Sequence, residues 1–156
     1  MTAMTDHKPH PTGPQEPRWT LHSALPTAGA LPTAPKLARG FTADALAYWG
    51  LSRWEDDASL IASELVTNVV QQAHDRDGKP IYPEGRLPVF QLSLFSDRRR
   101  LLLAVWDDAP GFPVQGNATP DATCGRGLAM ISRLGAWDWH LAGRGKVVRA
   151  TIGGGA

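Results

Sequence analysis

The chain has 156 residues, 42% hydrophobic and 20% charged, and 16 Lys+Arg against 15 Asp+Glu leave a formal net charge of +1. At roughly 150 residues per domain this length is one globular domain, and a charge so near zero argues against the clustered basic footprint of a nucleic-acid binder. Any bound anion must therefore be gripped locally. No apolar run approaches the ~18 residues of a membrane span, the lone Cys124 has no internal disulfide partner, and the N-terminus lacks an apolar signal core. A soluble, cytoplasmic protein is expected.

Residues 1–17 carry Pro9, Pro11, Pro14 and Pro17 with almost nothing large and apolar, a composition that cannot offset the entropy of ordering. They read as a disordered tail, leaving 18–156 as the working domain. Trp19, Leu21, Ser23 and Leu25 alternate with polar or small residues, predicting an edge strand over 18–25 that Pro26 ends. Residues 36–49 place Leu37, Phe41, Ala45, Leu46 and Trp49 at helical spacing, and Gly50 stops that helix. A second helix runs from residue 55 or 56 to 73, with acidic residues at its positive dipole end and Ile61, Leu65, Val66 and Val69 on its apolar side. Residues 75–88 are polar and rich in Gly and Pro, a loop longer than most connections. Strand-like runs at 89–95 and 101–106 form a hairpin around Asp97 and three arginines, Arg98 to Arg100, which read as a solvated turn. A helix at 127–134 and a second hairpin, 137–141 with 146–152, complete the pattern. Strands paired as hairpins predict an α+β fold, with helices layered on a mostly antiparallel sheet. Trp137 and Trp139 fall on one side of their strand, where sheet core is the expected use.

Glu64 and Asn68 lie four apart on the second helix and so share a face. A carboxamide there suits a magnesium ion and a carboxylate suits orienting or deprotonating a nucleophile, although the pair also fits an ordinary solvated helix face. Asp107 and Asp108 end an apolar strand, followed by Ala109, Pro110 and Gly111. A carboxylate at that place accepts from an exocyclic amine such as that of adenine, or caps a simple turn. Gly125-Arg126-Gly127-Leu128 opens a helix, where glycines and free amides can cradle phosphate or merely loosen the helix start. It is not a P-loop, because no Gly-Lys pair precedes a Ser or Thr.

In that order these signals resemble the GHKL ATPase superfamily, and within it the anti-sigma factor serine/threonine kinases and related ATP-binding regulatory proteins. DDASLIASELVTNVVQQA, beginning at Asp56, is similar to the family's N box. VWDDAPGFP resembles its first glycine box and GRGLAMISRLGAW its second. The resemblance implies a two-layer Bergerat-type sandwich, with a mostly antiparallel mixed sheet, that binds ATP and Mg2+. By it, Glu64 is the general base or water-orienting carboxylate and Asn68 the magnesium ligand. Asp107 contacts the adenine amine beside Ala109 and Gly111, while Gly125, Arg126, Gly127 and Leu128 hold the phosphates. It also implies phosphoryl transfer to a serine or threonine of a small anti-sigma factor antagonist, sequestration of a sigma factor, and a homodimer, with neither nucleic acid nor membrane as partner. Four departures stand out. Ala109 replaces a glycine, the last hairpin reads Gly145-Lys146-Val147-Val148 without the family's threonine, Gln71 and Gln72 replace a basic residue and a histidine, and 75–88 is long. They motivate a second reading, a non-catalytic module of the same fold that controls a partner with or without nucleotide.

Overall fold

The computed structural model describes residues 18–113 and 124–154, and the backbone alone for 124–126. The expected tail, 1–17, lies outside the described residues. In chain order the elements are β1 (Leu21–Ala24), β2 (Ala28–Gly29), α1 (Ala34–Trp49), α2 (Glu55–Gln72), β3 (Val89–Ser96), β4 (Arg100–Asp107), α3 (Cys124–Leu134), β5 (Ala136–Ala142) and β6 (Gly145–Gly153). The strands form one six-stranded sheet in the order β1-β3-β4-β6-β5, with β2 also paired to β3, and every pairing among the described residues is antiparallel. The expected α+β two-layer sandwich is the fold observed.

Period-2 burial sets the layers. Phe90, Leu92 and Leu94 on β3, Leu101, Leu103 and Val105 on β4, and Val148, Ala150 and Ile152 on β6 are all buried, while their neighbours along each strand are not. Onto this face α2 lays Ala58, Ile61, Ala62, Leu65, Val66 and Val69 at three- and four-residue steps. α1 packs against α2 through Ala38, Ala45 and Leu46, with Arg39 Nη1 donating to Ser63 Oγ across the pair at 2.8 Å. Side chains on the opposite sheet face include His22, stacked on Phe95 at 4.4 Å.

Several boundaries moved for identifiable reasons. α1 begins at Ala34, because Pro35 has no N–H to lose in a first turn, and it ends at Gly50 with φ 71°, where Leu51 N–H donates to Leu46 O. The first strand is shorter than 18–25, since Trp19 turns onto the outer face beside Phe95, 6.4 Å between ring centroids, instead of into the core. Residues 75–88 are fastened: Asp75 Oδ1 accepts from the Asp77 and Lys79 amides at 2.9 Å, and Ile81 N–H donates to Ala73 O at 2.7 Å. The three arginines are not a merely solvated turn. Arg98 Nη1 donates to Trp49 O at 3.0 Å, placing a cation on the negative end of α1, and Arg100 pairs with Asp97 at 2.8 Å. No helix among the described residues is long and apolar enough to cross a membrane.

Leu103 is fully buried on the strand at the centre of the sheet. Leu103→Ala should cost roughly 2–5 kcal/mol through lost transfer energy and the cavity left behind. The expected readout is a lower urea midpoint with an unchanged slope.

Candidate functional site

Along α2 the residues Glu64, Asn68 and Gln72 succeed one another at four-residue intervals, a polar edge beside the apolar stripe that grips the sheet. The eight steps from Glu64 to Gln72 span about 12 Å at 1.5 Å per residue. Each of the three meets a different part of the chain.

At one end, Glu64 faces the first turn of α3. A Cβ built at Gly127 would lie 2.6 Å from Glu64 Oε2, so any larger residue would displace the carboxylate. The small residue at 127 thus serves close approach of a helix N-terminus to an acid. Burial pushes the Glu64 carboxyl above the usual glutamate range. Leu128 is fully buried in the core with Ile131, so only its backbone amide is left for a phosphate. Gly125 and Arg126 belong to the same helical turn, and the Arg126 side chain lies outside the described residues.

In the middle, Asn68 lines a small cavity between α2 and the sheet together with Asp107, Lys146, Val105 and Val148. Asp107 closes β4 and is 1% exposed. Its Oδ1 accepts from Ala109 N–H at 2.9 Å and from Lys146 Nζ at 2.7 Å, whereas Oδ2 is buried with no hydrogen-bond partner among the described residues. Burial raises the Asp107 carboxyl above its ordinary range, against the opposite pull of the Lys146 ammonium and the Ala109 amide. Asp108, by contrast, points away: its Oδ1 accepts from Val89 N–H at 2.8 Å and its Oδ2 pairs with Arg86 at 2.9 Å. One aspartate serves the cavity and its neighbour ties the 75–88 loop to the sheet.

At the far end, Gln72 Nε2 donates to Phe112 O at 3.1 Å, and the Gln72 side chain packs beside Gly111, where a Cβ would meet it at 3.7 Å, an ordinary contact. Gly111 has φ 97°, so the chain turns there in a conformation that favours glycine. Phe112 then lies on Trp139 of β5, 5.3 Å between ring centroids. Trp139 is 38% exposed, so of the two tryptophans expected in the core only Trp137 reaches it, through packing and an Nε1 donation to Ser132 Oγ.

Three of these roles escaped the sequence. Lys146 stands in the hairpin where the resemblance calls for a threonine, and its Nζ takes over the support of Asp107. The Ala109 methyl, which a close backbone approach would have excluded, is buried in the core with no positive φ. Gln72, which removes the charge a basic residue or histidine would bring, clasps the loop after Asp107. The only available signal for Lys146 was its position, directly opposite Asp107 in the β4–β6 register.

Among the described residues no cluster of three or more His, Cys, Asp or Glu could hold a metal ion unaided. Magnesium, however, ordinarily takes one or two protein oxygens and completes its shell with water and substrate phosphate. Asn68 in the cavity, one turn from Glu64, fits that use. An orphaned buried carboxylate oxygen at Asp107 fits a ligand amine, since a buried acceptor without a donor is costly. In the described conformation the cavity holds only about 10 Å³, roughly room for one water, with Gln72 and Pro113 among its walls.

Because the folded state favours the neutral Glu64 carboxyl, the stabilising contribution of that group is fully present below the ordinary glutamate value. It is lost as pH rises through the raised one. Glu64→Gln should therefore melt slightly higher than the parent at neutral pH, with the difference vanishing in acid. Thermal melts at neutral pH and below the ordinary glutamate value of about 4.3 check this.

Residues 29–152 match a family model described as the histidine kinase-like ATPase domain. No curated protein matches the chain.

Proposed function

The chain belongs to the histidine kinase-like ATPase domain family, and from that premise we propose that it binds Mg-ATP and acts as an anti-sigma factor type serine/threonine kinase on a small antagonist protein. The observation that carries the reading is the order along α2, Glu64 against the start of α3 and Asn68 in one cavity with Asp107. Adenine would meet Asp107, the phosphates would lie toward the first turn of α3, and the amides of Gly125, Gly127 and Leu128 with the dipole of that helix would favour their charge. Asn68 would hold the magnesium, which supplies charge neutralisation at the phosphates.

Transfer needs little covalent chemistry from the protein. The hydroxyl oxygen of the partner's serine or threonine bonds to the γ-phosphorus, the bond to the bridging oxygen breaks, and ADP leaves with the electron pair. Glu64 accepts the hydroxyl proton. Its burial-raised pKa brings a carboxylate nearer the basicity such a transfer requires. The partner, the possible capture of a sigma factor and a homodimer belong to the proposal on the strength of the sequence resemblance. The family match supports the coarser statement, an ATP-binding regulatory protein.

A non-catalytic module is the second reading, favoured by the nearly closed cavity and by the ammonium already seated on Asp107. Calorimetry separates the two. Mg-ATP should bind the full chain, and Asn68→Ala and Asp107→Asn should each weaken it at least about tenfold, the worth of one charge-assisted contact. Radiolabel should then pass from ATP to a co-purified antagonist, and Glu64→Ala should bind nucleotide yet transfer nothing. Binding without transfer to any partner would leave the second reading. Entry of the base should also part Phe112 from Trp139, giving an emission change with Mg-ATP that Trp139→Phe loses.

A further inference from the structure

Lys146 is a buried ammonium that the nucleotide reading leaves without a task. It is 3% exposed, and of its three N–H donors one goes to Asp107 Oδ1 at 2.7 Å and one to Ala109 O at 3.2 Å. The third donor has no partner among the described residues. Asp107 Oδ2 is likewise buried and without one. Each of these is expensive to leave unmade, because a buried polar group forgoes its water. Both residues line the same cavity, whose other walls include the apolar Leu65, Val69, Val105 and Val148.

The cavity thus presents one acceptor and one cationic donor side by side between apolar walls. That is the complement of a flat heteroaromatic edge carrying a donor next to an acceptor, as adenine does with its 6-amine and ring N1. A neutral hydroxyl at position 146 could donate or accept and would impose no such order. An ammonium cannot accept, so it selects against any base whose second position is a donor or a plain C–H.

We propose that Lys146 is a base-contacting specificity residue, donating to the ring acceptor beside the amine that Asp107 receives, and is not only the counter-ion that holds Asp107. This rests on the reading that the cavity takes a purine nucleotide. Its failure is separable from failure of that reading, because the decisive quantity is a ratio between two ligands of the unaltered protein.

The test titrates the full chain calorimetrically with Mg-ATP and with Mg-1-deaza-ATP, which keeps the amine and replaces N1 by C–H. The expected result is binding of ATP and a loss of at least about tenfold with the deaza analogue, the worth of one charge-assisted hydrogen bond. Lys146→Met should bind the two alike, and Lys146→Thr should restore part of the preference through its hydroxyl. Equal affinity of the unaltered protein for both ligands would overturn the proposal while leaving nucleotide binding intact, with Lys146 a counter-ion only. Binding of neither would remove the nucleotide reading and the proposal together. Since the deciding comparison uses no variant, loss of folding in Lys146→Met cannot mask the answer.

Discussion

One helix has to satisfy two neighbours, and the site follows from that constraint. α2 must put Ile61, Leu65, Val66 and Val69 onto the sheet, because those side chains hold the helical layer to it. With a 3.6-residue period, an apolar stripe of that width leaves an edge rather than a whole face for polar side chains. Glu64, Asn68 and Gln72 occupy this edge, at the boundary between core and cavity. Their placement is a consequence of core packing, so these polar side chains are positioned by the same contacts that stabilise the domain.

The sheet imposes the second half of the geometry. β4 and β6 pair so that Asp107 stands opposite Lys146, and the alternation that buries Leu103 and Val105 also turns Asp107 inward. A carboxylate at the end of a buried row must be compensated, and the opposing strand supplies an ammonium. The next residue, Asp108, falls on the other side of the pleat and is consumed by Val89 N–H, Arg86 and the fastening of the 75–88 loop. Two adjacent aspartates thus do unrelated work because a strand sends successive side chains in opposite directions.

The long segment after Asp107 is held at its start by contacts remote in sequence. Gln72 from α2 grips Phe112 O, and Trp139 from β5 meets the Phe112 ring. Both partners come from elements already anchored in the domain, α2 to the sheet and β5 to β6. The start of that segment is therefore held by one hydrogen bond and one ring pair, contacts worth on the order of 1 kcal/mol each.

Most of the layered fold was legible in the chain. Period-2 and period-3.6 patterns act over a few residues and survive without tertiary context, which is why both hairpins and α2 are legible nearly to their ends, and why Glu64 and Asn68 read as sharing one edge of α2. Ends set by single interactions were not, as with the two-residue β2 and the start of α1. What a side chain is used for depends on what arrives opposite it. Arg98 reads as solvated until Trp49 O lies beneath it. Trp139 reads as core until the fold leaves it 38% exposed beside Phe112, and Lys146 reads only as a missing threonine until the β4–β6 register sets it against Asp107. The sequence by itself determined the layers, the polar edge of α2 and the family. Only the tertiary structure decided which polar groups meet in the cavity and which are already paired, because burial and ion pairing arise between residues distant in the chain, and no local pattern encodes them.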